Sequence, residues 1–125
     1  AFDGGAGNPY LPFHHDRDAV VYTGTHDNDT SLGWYQSLDA AGRAYVDEYL
    51  GHSAEPMPWP LVRAALASRA TLAVLPMQDL LELDGVHRMN VPGTAEGNWT
   101  WRFDWDMVPA DLSQKVRRMV EMYGR

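Results

Sequence analysis

Two short runs limit what this chain can fold into: Ala19-Val20-Val21-Tyr22-Thr23, stopped by Gly24, and Thr71-Leu72-Ala73-Val74-Leu75, stopped by Pro76. Both are apolar and rich in β-branched residues, without the alternation of a strand that is wetted on one face. That is the pattern of parallel strands covered on both sides. Helical patterns lie between and after the runs, and strands alternating with helices predict an α/β fold with a parallel crossover. Two strands alone make a poor sheet, because each keeps an open edge and each asks for cover on two faces. The chain reads as part of something larger.

Between the runs, one helix is predicted from Asp39, a good N-cap, through Tyr45, Val46, Tyr49 and Leu50 to Gly51. A second follows Pro60 and carries Leu61, Val62, Ala65 and Leu66 on one stripe. After the second run comes a short helix around Gln78–Leu83, then a long loop from Asp84 to about Met107. The last helix is predicted to start near Pro109, a residue suited to a first turn. On it Leu112, Val116, Met119, Val120 and Tyr123 make one apolar face. Lys115, Arg117 and Arg118 lie towards its C-terminal half, where positive charge suits the helix dipole. Residues 1–18 are polar and turn-rich, with Asn8-Pro9 and Leu11-Pro12 favouring extended or turn geometry. Such a start suggests a functional loop or a chain that begins mid-fold.

Composition excludes several function classes. With no cysteine, there is no disulfide scaffold, thiolate zinc site or cysteine nucleophile. Ten Lys and Arg against seventeen Asp and Glu leave a net charge of −7, the wrong sign for a nucleic-acid or anionic-membrane binder. No apolar run approaches the roughly 18 residues of a membrane span, and no basic segment leads into an apolar one at the N-terminus. A soluble, cytoplasmic protein is the expectation.

The densest polar cluster, Thr25-His26-Asp27-Asn28-Asp29-Thr30, directly follows the first run. In α/β folds the ends of strands are where ligands bind and chemistry happens. The same residues also favour turns, and Asp29 or Thr30 could cap a following helix, so a structural role stands beside the functional one. An EF-hand is excluded, because Leu32 and Leu38 replace the glycine and glutamate that such a loop needs. His14, His15 and His26 with their neighbouring aspartates leave a metal-dependent hydrolase as a distant alternative, since no helical His-x-x-x-His pair is present. The sequons Asn28-Asp29-Thr30 and Asn98-Trp99-Thr100 read as chance matches.

The second cluster runs from Arg88-Met89-Asn90-Val91-Pro92-Gly93-Thr94 to Asn98-Trp99-Thr100-Trp101-Arg102. Its glycines lack phosphate-loop spacing. Trp99, Trp101, Phe103 and Trp105 alternate with polar residues. This predicts an extended segment that lays most of its rings on the core, with one or more left to line a sugar or aromatic-ligand site.

These blocks, with Ala1-Phe2-Asp3-Gly4-Gly5, Asn8-Pro9-Tyr10-Leu11-Pro12 and Leu75-Pro76-Met77-Gln78-Asp79, resemble the C-terminal part of the 4-α-glucanotransferases (amylomaltases, or disproportionating enzymes). The resemblance covers nearly the whole chain in order. One departure is Phe13-His14-His15 after Leu11-Pro12, where the family tends to read His-Asn. The family fold is a (β/α)₈ barrel of about 250 residues, so the 125 residues here imply a fragment. They would carry the last two strands and their helices, with no separate second domain in 1–125.

The resemblance also implies a retaining mechanism on α-1,4-glucans. Retention uses a carboxylate nucleophile and a carboxylic acid/base roughly 5–5.5 Å apart, which the family carries on earlier strands. Asp27 would be the third, transition-state-stabilising carboxylate. His26 would hydrogen-bond the same sugar, and Asn90 would reach that subsite from the loop after the last strand. Maltooligosaccharides are then the partners, no metal or organic cofactor is implied, and the isolated chain is expected to be inactive. Open strand edges suggest self-association or strand exchange between copies. A non-catalytic carbohydrate-binding module using the Trp-rich loop is the main alternative.

Overall fold

The computed structural model describes residues 2, 3 and 5–125. Ala1 and Gly4, which belong to the first block of the family resemblance, lie outside the described residues. Strand β1 (Val20–Tyr22) is followed by helices α1 (Ser31–Ser37), α2 (Ala40–Tyr49) and α3 (Trp59–Ala67). Strand β2 (Leu72–Val74), the short α4 (Met77–Leu80) and the final α5 (Leu112–Met122) complete the order. The two strands pair in parallel, Val20 opposite Leu72, Val21 opposite Ala73 and Tyr22 opposite Val74. The backbone N–H of Thr71 extends the ladder by donating to the carbonyl of Arg17 at 2.9 Å.

The apolar runs divide into two faces. Val21 is buried against Ala65 and Ala70, with Ala73 and Leu75 packed around them. On the opposite face Val20, Tyr22, Leu72 and Val74 stay 38–53% exposed. Within this chain the strands are therefore covered on the helix side only, although their residues are apolar on both.

Helix α2 starts where its cap predicts. Asp39 accepts from the Gly42 N–H at 2.7 Å, and Gly51 leaves the helix with φ +75°, a conformation that costs glycine little. Helix α1 is met in the sequence reading only as a helix that Asp29 or Thr30 could cap, with no span of its own before Asp39. It is only seven residues long and contains Gly33, too short for a periodic stripe to show. What starts it is Thr30, whose hydroxyl accepts from the Gly33 N–H at 3.0 Å. In α3 the predicted stripe is buried at Val62, Ala65 and Leu66. Helix α4 stops earlier than expected, and Glu82 turns out of it with φ +57°.

Helix α5 begins at Leu112 rather than at Pro109, whose carbonyl instead closes a turn with the Leu112 N–H at 3.0 Å. Its apolar face nevertheless forms as predicted. Leu112 and Met119 join Trp59, Val62 and Leu66 in the main core, with Val116, Val120 and Tyr123 packed around them. Each such fully buried aliphatic side chain contributes about 1.5–3 kcal/mol of transfer free energy. The last turn of α5 holds no basic residue, and a dipole effect fades beyond that turn. Lys115 does something else: its Nζ lies 3.4 Å from the centre of the buried Trp59 ring, close enough for a cation–π contact. Beyond the helix, Arg125 donates to the carbonyls of Leu66 at 2.6 Å and Ser68 at 2.7 Å, satisfying the open end of α3.

Outside the core, the Tyr35 hydroxyl donates to Asp47 at 2.9 Å and ties α1 to α2. Burial, and then this bond to a carboxylate, push the phenol above its ordinary range. The neutral phenol is the form the fold favours, so its contribution is complete below its ordinary value of 10.0 and is lost as pH climbs past the raised value. Among the described residues no helix is long and apolar enough to cross a membrane.

One buried carboxylate joins the two βα units. Asp79 of α4 is 1% exposed and accepts from the Thr23 hydroxyl at 2.5 Å, the Ser31 N–H at 2.9 Å and the Ser31 hydroxyl at 2.8 Å. Hydrogen bonds to a charged group contribute about 1.5–3 kcal/mol each and are not additive, and buried donors left unpaired add to the loss. Asp79→Ala is expected to lower unfolding free energy by about 3 kcal/mol in a urea titration. Asp79→Asn should lose less, because its amide oxygen can keep the Ser31 N–H and its amide nitrogen would face two hydroxyls that can turn to accept. An unchanged midpoint in the Asn variant would show that an acceptor-only group is not needed there.

Candidate active site

The polar cluster after β1 splits into residues that build the loop and residues that it displays. Asn28 closes the turn by accepting from the N–H and hydroxyl of Thr25 at 2.8 and 2.9 Å. Thr30 caps α1. Asp29 accepts from the Thr30 N–H at 2.8 Å and fills the space beside two glycines. A Cβ on Gly33 would stand 2.6 Å from Asp29 Oδ1 and 2.7 Å from the Gly85 nitrogen, and one on Gly85 would stand 2.8 Å from the same carboxylate. The turn-and-cap reading therefore holds for Asn28 and Thr30. His26 and Asp27 are left on the outside, their side chains about half exposed.

Those two meet the loop that follows β2. Asn90 Nδ2 donates to Asp27 Oδ1 at 2.7 Å, and His26 Nε2 lies 3.3 Å from the same oxygen. The sequence-predicted residues His26, Asp27 and Asn90 are thus brought together, across 63 positions of chain in the last case. Both polar neighbours address Oδ1, and among the described residues no donor is hydrogen-bonded to Oδ2.

Four further residues, Arg88, Asp29, Trp99 and Asn98, shape the site. Arg88 reaches both loops, donating to the Asp27 carbonyl at 3.1 Å and the Asn90 carbonyl at 3.2 Å. Asp29 stands 3.9 Å from its guanidinium. Trp99 lays its ring against His26, with centroids 5.0 Å apart. It holds φ +63°, an unusual conformation for a bulky residue, and its N–H donates to the Met89 carbonyl at 2.7 Å. Asn98 closes this loop, accepting from Val91 N–H at 2.8 Å and donating to Thr94. In the folded chain that sequon side chain is a loop brace. All four lie in the two polar blocks that carry the family resemblance, but no periodicity or spacing in the sequence pairs them with the groups they hold.

Above the carboxyl ends of the strands lies an open cleft of about 590 Å³, lined by Tyr22, His26, Val74, Arg88, Met89 and Trp99 among others. Tyr22 and Val74 belong to the bare face of the sheet, so the cleft continues into it. The prediction that the alternating aromatic residues lie mostly on the core is corrected: none of the four rings belongs to either core cluster. Trp99 is 55% and Trp105 78% exposed, because the segment turns at Trp99 and winds into a 3₁₀ turn at Trp105–Met107. Trp101 and Phe103, both half-buried, pack with Trp105 in a row of rings.

The histidines do not assemble. His14 Nε2 sits 2.8 Å from the Ala6 carbonyl, while His26 contacts Asp27 and Trp99. Among the described residues, no three His, Asp or Glu side chains form a group that could hold a metal.

Polar groups gathered at the carboxyl ends of parallel strands, beside a cleft with an aromatic wall, are the arrangement in which α/β proteins bind and transform ligands. Comparison with known proteins narrows that class. The family model described as 4-alpha-glucanotransferase matches residues 1–107, and the chain belongs to that family. It is 48% identical over 127 residues to the 4-alpha-glucanotransferase of Synechocystis, an alignment taking in 100% of this chain and 25% of that protein. The Thermus thermophilus 4-alpha-glucanotransferase is 42% identical, over 100% of this chain and 27% of its own length. An amylomaltase from Streptococcus agalactiae, solved in complex with acarbose, superposes with a TM-score of 0.94 at 28% identity, over 99% of this chain and 25% of that one. The chain spans about a quarter of the length of these relatives. Relatives are bacterial and plant proteins, and the name of the rice relative places it in the chloroplast or amyloplast.

The contact between Gly33 and Gly85 sets how closely the two site loops approach. Gly33→Ala is expected to push the loops apart and cost about 1–3 kcal/mol, the range for overpacking a tight contact. A thermal melt checks it, and an unchanged melting temperature would mean that the loops are not in contact at this point.

Proposed function

We propose that this chain is the C-terminal part of the catalytic (β/α)₈ barrel of a retaining 4-α-glucanotransferase. Residues 1–125 would lie wholly within that barrel, with β1 and β2 as its seventh and eighth strands and α5 as its closing helix. The observation that carries the reading is the junction of Asp27 with His26 and Asn90, delivered by the two loops at the carboxyl ends of parallel strands. The quarter-length match to the relatives and the apolar strand face left open support it independently.

On this reading the parent enzyme cleaves an α-1,4 bond, holds the glucan as a glucosyl ester on its nucleophile, and passes it to the 4-hydroxyl of another sugar. The nucleophile and the acid/base belong to earlier strands. Asp27 supplies the third carboxylate. Asn90 and His26 fix Oδ1, and Oδ2 is turned to hydroxyls of the reacting sugar. Hydrogen bonds of this kind tighten as the ring flattens towards the oxocarbenium ion and contribute several kcal/mol there. His26, held by Trp99, adds a donor to the same sugar. The solved neighbour was obtained with acarbose, which fits a site for α-glucans. No metal or organic cofactor takes part in this chemistry.

The module reading draws on the exposed rings of Trp99 and Trp105. The contact between Trp99 and His26 instead joins that ring to the carboxylate cluster, and so favours the enzyme. Titrating the chain with maltooligosaccharides while following tryptophan fluorescence separates the two, since saturable tight binding by the chain alone belongs to the module.

In the full-length parent, Asp27→Asn is expected to reduce kcat on maltotriose by about 10²–10³-fold, the equivalent of a few kcal/mol of transition-state stabilisation. Turnover close to that of the unmodified enzyme would refute the role of Asp27. The pure 125-residue chain should form neither glucose nor longer maltodextrins from maltotriose. Its open strand face should drive self-association, visible as a concentration-dependent mass in light scattering.

A further inference from the structure

The Arg88 side chain hydrogen-bonds the backbone of both site loops at Asp27 and Asn90. Its Nη2 donates to the main-chain carbonyl of Asp27 at 3.1 Å, and its Nε donates to the main-chain carbonyl of Asn90 at 3.2 Å. Those are the same two residues whose side chains meet at 2.7 Å. The guanidinium Nη1 stands 3.9 Å from Asp29 Oδ2, and Asp29 is itself wedged against Gly33 and Gly85. The Arg88 side chain is 23% exposed. None of its contacts reaches the carboxylate of Asp27.

We infer that Arg88 is a positioning residue for the reaction: it sets the distance between Asp27 and Asn90 by holding both their backbones on one rigid fork. This rests on the proposed glucanotransferase reading of Asp27. The physical reason lies in the shape of the group. A guanidinium carries its donors in a fixed plane, so two of them can serve two carbonyls at a set separation. An ammonium has the charge but presents its donors from a single point. If the role of Arg88 were only to place a positive charge near the acidic loop, lysine would replace it. If the role is to hold two backbones in register, lysine cannot.

The consequence belongs to the transition state more than to substrate binding. A carboxylate displaced by about 1 Å can lose about 10²-fold in rate while the bound ground state changes little. Such a loss lowers kcat and kcat/KM together. A residue that merely stabilises the fold would instead lower the melting temperature and leave the kcat of the folded fraction unchanged.

The experiment uses the full-length parent enzyme with maltotriose and four variants: Arg88→Ala, Arg88→Lys, Asp27→Asn and the Arg88→Lys/Asp27→Asn double variant. Rates are measured well below each melting temperature. Arg88→Lys is expected to lose about 10²-fold in kcat, with KM changed by less than threefold. Methylguanidinium added to Arg88→Ala should restore at least tenfold of its lost kcat, and methylammonium should not. In the Asp27→Asn background, Arg88→Lys should add less than a threefold further loss, because it acts through Asp27. Should Arg88→Ala fail to fold, the lysine variant and the double variant carry the test. Arg88→Lys turning over within twofold of the unmodified enzyme, while Asp27→Asn loses at least about 10²-fold in kcat, overturns the positioning role and leaves the glucanotransferase reading standing. Asp27→Asn keeping full turnover overturns that reading, and this inference with it.

Discussion

A single buried carboxylate organises the two halves of this structure. Asp79 receives three hydrogen bonds, one from Thr23 at the end of β1 and two from Ser31 at the start of α1. Residues 24–30 thus form a loop whose two ends hang from the same side chain. Strands of three residues supply too few ladder bonds to define where such a loop must stand. A charged acceptor in a low-dielectric setting, matched to three donors, does so far more sharply. Within the loop, Asn28 closes the turn and Asp29 stands against Gly33 and Gly85. His26 and Asp27 are what remains, and they are held outward because every neighbour is occupied inward.

Much of the backbone plan was legible in the sequence because it rests on local chemistry. Both strands follow from β-branched apolar runs with stops, and α2 from an aspartate cap and a terminal glycine. The α5 face follows from its helical period. The span of helix α1 was not legible, since seven residues around a glycine show no stripe and its cap, Thr30, sits inside a cluster that equally suits a turn. The aromatic segment was misread for a related reason. Alternation fixes which side a ring takes only while the backbone stays extended, and Trp99 with φ +63° breaks that condition. For the site, His26, Asp27 and Asn90 could be picked out through the family resemblance. Arg88, Asp79 and the glycine pair could not, because their partners in the other βα unit lie 48–61 positions away or depend on a close approach that only coordinates reveal.

The strand burial gives the two apolar faces different meanings. Val21 and Ala73 are satisfied by the helices of this chain. Val20, Tyr22, Leu72 and Val74 are not, and Tyr22 and Val74 also line the cleft. A sheet in an antiparallel protein that left one side open would carry polar residues there. On the proposed reading this face is the wall of a barrel interior, filled by side chains from earlier strands. The same surface then does two jobs: it packs against those strands, and it forms the floor beneath the sugar.

On the proposed reading, this geometry also explains why the chemistry would need two loops rather than one. A carboxylate that must favour a developing positive charge over a neutral ground state has to be aimed before the sugar distorts, since reorganising it during reaction would cost the energy it contributes. Asp27 sits on a half-exposed loop, which by itself would let the side chain rotate. Asn90, arriving from the second βα unit, removes that freedom by taking Oδ1, and Arg88 ties the two main chains that carry them. The Asp27 carboxylate is therefore rigid only when both units are docked. Asp79 and the Gly33–Gly85 contact do that docking, so on the proposed reading residues with no reach to the sugar would decide how precisely the carboxylate meets it.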